Sequence, residues 1–169
     1  MSMSTTGAKR RQSILIWRHW FCGLCDGEAS FTFRNDYKMR RARPRFQVLL
    51  QGNHKLLEQI ASTLGLGRVN GPFIPKSKRG GIQPYLARSE IKVSRRERLQ
   101  SVIAFFSRYP LRSSKMHDFE IWKTLVNEYC AAKPDWLKVN RLALRLTEET
   151  ERNKGQAKRA RTALRLWLK

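Results

Sequence analysis

Acidic residues are scarce in this sequence: Asp and Glu number 13 against 35 Lys and Arg in 169 residues, leaving a formal net charge of +22. Self-repulsion at that charge works against a compact chain, so it points to a polyanionic partner, nucleic acid first and an anionic membrane surface second. Long hydrophobic runs are missing as well. The longest apolar stretches, Ile14 to Trp17 and Trp20 to Cys25, fall far short of the ~18 residues of a spanning helix, which excludes membrane insertion. Cysteine is sparse, and the three present, Cys22, Cys25 and Cys130, cannot close into a complete disulfide framework. Nothing at the N-terminus reads as a secretion signal, so an intracellular, reducing setting is expected. Cys22 and Cys25 form a CxxC pair, yet Cys130, His19, His54 and His117 supply no second ligand pair at the spacing of a structural zinc site.

What is present is enough apolar material for a core. Hydrophobic residues make up 41% and aromatics 10%, which excludes a wholly disordered basic tail, and the length suits one domain. Residues 1–12, with Lys9, Arg10 and Arg11, read as a mobile basic arm, and residues 13–151 as the domain. Residues 152–169 read as a basic extension whose Leu164, Leu166, Trp167 and Leu168 favour a helix.

Within the domain, Ser13 is a plausible N-cap, and Ile14, Trp17, Phe21 and Leu24 recur at helical spacing. The period then switches to two: Ser30 to Arg34 puts Phe31 and Phe33 on one face, and Arg43 to Gln51 puts Phe46, Val48 and Leu50 on one face. Pro44 suggests an edge position or a strand start. A helix from Lys55 to Leu64 ends at Gly65, and extended segments near 68–74 and 85–93 flank a glycine-containing connection. Helices over 95–107, 115–130 and 136–149 complete an α+β architecture, a four-stranded antiparallel sheet with helices on one face.

The other sheet face is left for water or a partner. Its expected residues are Ser30, Thr32, Arg34, Arg43, Arg45, Gln47, Arg68 and Asn70, and Arg41, Gln83 and Arg88 extend the set. Arg and Gln match base edges of the DNA major groove, so Arg43, Arg45, Gln47, Arg68 and Asn70 are candidate base readers and the others candidate DNA contacts. Lys76, Lys78, Arg79 and the C-terminal basic residues are candidate phosphate contacts. An ordinary solvated face is the competing reading.

Two features lie at the end of the first helix. Gly23 and Gly27 are four apart, which lets another helix approach closely, within the chain or from a second one. Asp26 and Glu28 face the negative end of the helix dipole, an arrangement costing roughly 0.3 to 1 kcal/mol each when exposed. Either a divalent cation between protein and phosphate oxygens compensates, the usual Mg²⁺ arrangement, or the acids simply pair with arginines.

The run Phe21-Cys-Gly-Leu-Cys-Asp-Gly-Glu-Ala-Ser-Phe31 resembles the signature motif of the LAGLIDADG homing endonucleases. Pro44-Arg-Phe-Gln-Val, Leu56-Leu-Glu-Gln-Ile with Leu64-Gly-Leu-Gly67, the segment Tyr85 to Val93, Tyr109-Pro-Leu, Lys115 to Trp122, Leu146-Thr-Glu-Glu and Asn153-Lys-Gly155 follow in that family's order. The resemblance implies an αββαββα fold and an Mg²⁺-dependent, site-specific DNA endonuclease. It also implies that Glu28 binds the metal, with the Gly27 carbonyl as a further ligand, and that Asp26 is structural. Lys115 falls where a basic residue lies near the active site, and Gln51 or Leu50 near a polar pocket position. Ala29 stands where glycine is usual, so the helix is expected to end on Gly27. One motif per chain implies a homodimer joined through Phe21, Cys22, Gly23, Asp26 and Gly27, with one Glu28 per scissile phosphate. Two Glu28 carboxylates brought close across the dyad would repel, which favours a cation between them. A non-catalytic, RNA-binding intron maturase on the same fold is the alternative, and a prokaryotic cytoplasm or an organelle the expected location.

Overall fold

The computed structural model describes the backbone of residues 5–74, 87–150 and 154–168, and the side chains of 11–74, 87–150 and 159–168. Lys76, Lys78, Arg79 and Gln83 lie outside the described residues.

Helix α1 spans Thr5–Glu28, so Ser13 sits inside the helix rather than capping it, and most of the expected arm is helical. Phe21 and Cys25 on its inner face are fully buried, with Trp17 and Leu24 packed beside them. The helix runs one residue past the expected stop, and Ala29 opens strand β1 (Ala29–Asp36) without a left-handed backbone. No glycine is therefore needed there.

A turn with Arg40 at φ 50° and the Met39 amide donating to Asp36 Oδ1 leads to β2 (Arg41–Gln51). Helix α2 (His54–Leu64) stops at Gly65, whose φ of 66° favours glycine. Strands β3 (Val69–Phe73) and β4 (Arg88–Val93) follow, then helices α3 (Arg96–Arg108), α4 (Lys115–Cys130), α5 (Trp136–Glu149) and α6 (Lys154–Trp167). The sheet is antiparallel in the order β1-β2-β4-β3. In β3, Gly71 has φ 111°, and a Cβ there would lie 2.7 Å from the Arg88 carbonyl oxygen, so only glycine fits.

Alternation decides the faces. Ala29 and Phe31 of β1, Ala42, Phe46, Val48 and Leu50 of β2, and Ile91 and Val93 of β4 are buried. Phe31 is the hub of this layer: its ring centroid lies 5.3–5.4 Å from those of Phe46, Phe106, Phe119 and Trp122. Trp122 Nε1 also donates to the Thr32 carbonyl oxygen at 3.0 Å, tying α4 to β1. Strand β2 outruns β4, whose pairing begins only at Phe46, so Pro44, opposite Phe33 of β1, lies where β2 has no strand on its other side. Buried Asn140 of α5 closes the same stretch, accepting from the Ala42 amide and donating to the Arg40 carbonyl oxygen, each at 3.0 Å. Helix α6 carries the expected basic extension onto α5, burying Leu164. Among the described residues no helix is long and apolar enough to cross a membrane.

Candidate functional site

The register assembles the open face as the alternation implies. Ser30, Thr32 and Arg34 stand opposite Gln47, Arg45 and Arg43, and Asp36 opposite Arg41. Gln51 pairs with Arg88 at the far end and Asn70 of β3 with Glu90. Arg68 is exposed just before β3. Like charges directly opposite, such as Arg34 and Arg43, are unfavourable in a sheet, and the face manages them individually. Asp36 Oδ2 lies 2.5 Å from Arg43 Nη2, and the Arg41 guanidinium stacks on Trp136 of α5 at 4.0 Å. Arg45 is half-buried with Nε unpartnered, and burial together with neighbouring Arg34 lowers its pKa.

Three participants are absent from the sequence reading: Glu90, Lys92 and Trp136. The first two were legible, because Arg88-Ser-Glu-Ile-Lys-Val93 alternates as cleanly as β1. Trp136 reaches Arg41 from α5, and no local pattern announces that contact. Of the pair Leu50 and Gln51, Leu50 is 9% exposed on the helix side and Gln51 shares the open face.

At one end of this face lies a cleft of about 570 Å³, lined among others by Glu28, Ser30, Thr32, Asp118, Thr147 and Thr150. Glu28 is exposed at its rim. Lys115 is 1% exposed, and its Nζ donates to the carbonyl oxygens of Cys25 at 3.0 Å and Gly27 at 2.6 Å. Those are carbonyls of the last turn of α1, which its own backbone leaves unpaired. Asp26 accepts from the backbone amides of Arg112 and Ser113 and from the Ser113 hydroxyl, at 2.7–3.2 Å. Desolvation pushes its carboxyl up, but these hydrogen bonds outweigh it and hold the pKa below the ordinary value of 3.8. At the helix end a buried lysine answers the dipole, loop amides answer Asp26, and Glu28 keeps its carboxylate at the cleft.

The interface expectation divides. Phe21 and Cys22 are 0% and 7% exposed and face the chain's own core. Cys22 Sγ donates to the carbonyl oxygens of Tyr109 and Pro110 at 3.2 and 3.4 Å, and burial pushes its pKa up. Asp26 is likewise committed within the chain. Gly23 and Gly27 are exposed, with nothing within 4 Å of an added Cβ, and Ile16 and Trp20 continue their stripe at 62% and 43% exposure.

A helix-backed antiparallel sheet with an arginine-rich open face, and a carboxylate at the helix end beside it, defines an α+β protein of the nucleic-acid-processing class. Residues 21–126 match the sequence profile described as LAGLIDADG endonuclease. The chain belongs to the LAGLIDADG endonuclease family. The archaeal intron-encoded homing endonuclease I-Vdi141I, solved in complex with DNA, shares the fold at TM-score 0.64 and 22% identity, over 89% of this chain and 95% of that one. The homing endonuclease I-CvuI, in complex with the I-CreI target in the presence of Mg with the DNA not cleaved, aligns at TM-score 0.63 and 20% identity, over 92% and 96%. The meganuclease I-CpaMI, bound to uncleaved DNA, aligns at TM-score 0.63 and 20% identity, with this chain covering 49% of it. No curated protein sequence matches significantly.

Proposed function

We propose that the protein is a site-specific double-stranded DNA endonuclease, acting as an intracellular homodimer on a long, nearly palindromic target and hydrolysing phosphodiester bonds with Mg²⁺. The observation that carries this reading is the position of Glu28, an exposed carboxylate at the rim of a cleft where the arginine-rich face ends.

The donor chemistry fits a hard cation. Glu28 offers carboxylate oxygens and Gly27 a carbonyl oxygen, and Asp118 lines the same cleft. Mg²⁺ keeps several waters and borrows phosphate oxygens, so it needs only one or two protein carboxylates. Glu28 would hold it, with the Gly27 carbonyl, one lone pair of which already accepts from Lys115 at 2.6 Å, as the further ligand, and when bound such a cation supplies Lewis acidity toward phosphate and lowers the pKa of a coordinated water. The chain's own contribution is positioning. Lys115 fixes the end of α1, Asp26 anchors that end to the loop before α4, and the open face holds the duplex by arginine and glutamine contacts.

The exposed Ile16, Trp20, Gly23 and Gly27 stripe supports the homodimer, because small residues let two helices pack closely and the apolar ones gain by burial. A symmetric pair presents two Glu28 residues, one for each strand. The test is a cleavage-site selection from a randomised duplex library with Mg²⁺, run beside Glu28→Gln. Wild type should cut a defined sequence and the variant should bind it without cutting; equal cutting by both overturns the assignment. An RNA-binding maturase would leave every duplex intact.

A further inference from the structure

The open face carries a carboxylate where a DNA-binding surface has least use for one. Glu90 of β4 is 9% exposed, and both its oxygens are occupied. Oε2 accepts from Gln47 Nε2 at 2.6 Å, and Oε1 is ion-paired with Lys92 Nζ. Gln47 stands opposite Lys92 and Leu49 opposite Glu90 in the β2–β4 register, so all three polar groups lie on this one face.

A carboxylate accepts hydrogen bonds and cannot donate them. The side of the Gln47 amide that meets Glu90 must therefore be its NH₂, which turns Oε1 away from Glu90, with one N–H remaining. A freely rotating glutamine presents either end to a base; this one presents its acceptor. In the major groove an acceptor beside one N–H matches adenine, whose N6 donates and whose N7 accepts. Lys92, meanwhile, has its charge matched by Glu90, which weakens its pull on phosphate relative to the unpaired basic residues of the chain.

We infer that Glu90 is a specificity-determining positioning residue, which orients the Gln47 amide so that it favours an A·T pair, whose adenine offers N6 as donor and N7 as acceptor. The inference rests on the DNA-recognition reading above. It is tested by enrichment of the full chain on a randomised duplex library without divalent cations, comparing wild type with Gln47→Ala, Glu90→Gln, Glu90→Asp and Lys92→Met. The Gln47→Ala profile identifies the base pair that Gln47 reads, which should be A·T or T·A; a G·C or C·G pair there overturns the inference. At that pair Glu90→Gln, whose amide donates as well as accepts, and Glu90→Asp, whose shorter side chain keeps the charge but not the reach, should both lose discrimination on the order of tenfold. Preferences elsewhere in the site should persist. Lys92→Met should bind more weakly to every sequence yet keep the preference.

Full discrimination at the Gln47 pair in both Glu90 variants, or flattening across the whole site in variants that melt like wild type, overturns the inference. Absence of any enriched sequence for wild type overturns the DNA-recognition reading itself, and the inference with it. That outcome is distinguished from the others because all five profiles would then be flat.

Discussion

Lys115 Nζ donates to the Gly27 carbonyl oxygen at 2.6 Å, joining the start of α4 to the end of α1 one residue before Glu28. This places a buried ammonium at the negative pole of a 24-residue helix, where a cation is favoured. Lys115→Met keeps the aliphatic stem and strands two carbonyls, Cys25 and Gly27. The expected cost is about 2 to 4 kcal/mol for a buried, charge-assisted pair of hydrogen bonds, read as a lower urea midpoint. An unchanged midpoint would show that the lysine is not the cap of α1.

Glu28 is exposed and makes no hydrogen bond or ion pair among the described residues. Glu28→Gln should therefore leave stability within about 0.5 kcal/mol while abolishing cleavage in Mg²⁺. Comparing denaturation with cleavage of the selected duplex separates the two effects, and a large loss of stability would reassign Glu28 to a structural role.

Asp26 gives a pH dependence with a definite sign. Its folded pKa is depressed below 3.8, so its contribution is fully present above the ordinary carboxylate value and is lost as the pH falls through that value toward the folded pKa. Asp26→Asn should be less stable than wild type by about 1 kcal/mol near neutral pH, discounted for partial exposure. The gap should narrow below pH 3.8. Urea midpoints at a series of pH values check this, and a gap that widens on acidification would contradict it.

Gly23 lies in the exposed stripe of α1 with open space around it. Gly23→Ala should stabilise the helix of an isolated subunit by about 1 kcal/mol, and the bulkier Gly23→Leu should hold helix–helix contacts apart. Sedimentation should show a dimer for wild type and a shift toward monomer for Gly23→Leu, with no loss of helix by circular dichroism. A dimer as tight as wild type would move the interface elsewhere.

Arg45 is held at a cost, with Nε unpartnered and Arg34 nearby. Arg45→Met retains the stem and relieves both, so it should raise stability by about 1 kcal/mol while weakening binding to the selected duplex more than to random DNA. Equal weakening on all sequences would make Arg45 a phosphate contact.

Much of this was readable along the chain. The change from a 3.6-residue to a two-residue period located β1 and β2, the Gly65 stop ended α2, and parity alone put Ser30, Thr32, Arg34, Arg43, Arg45 and Gln47 on one face, because side chains of a strand must alternate. The acids at the end of α1 were likewise visible, as was the unfavourable dipole they face. What answers that dipole was not. Lys115 and the Arg112–Ser113 amides reach α1 across more than 85 residues of sequence, and no local period encodes which side chain arrives. Phe21 and Cys22 were misplaced for the same reason: a helix with apolar residues on two sides does not announce which one meets its own sheet. The composition by itself pointed to a polyanionic partner, and strand alternation put arginine and glutamine on one face. Only tertiary packing decided which of those side chains are held, Gln47 by Glu90, Arg43 by Asp36 and Arg41 by Trp136, because orientation is set by partners that the sheet register and α5 bring together.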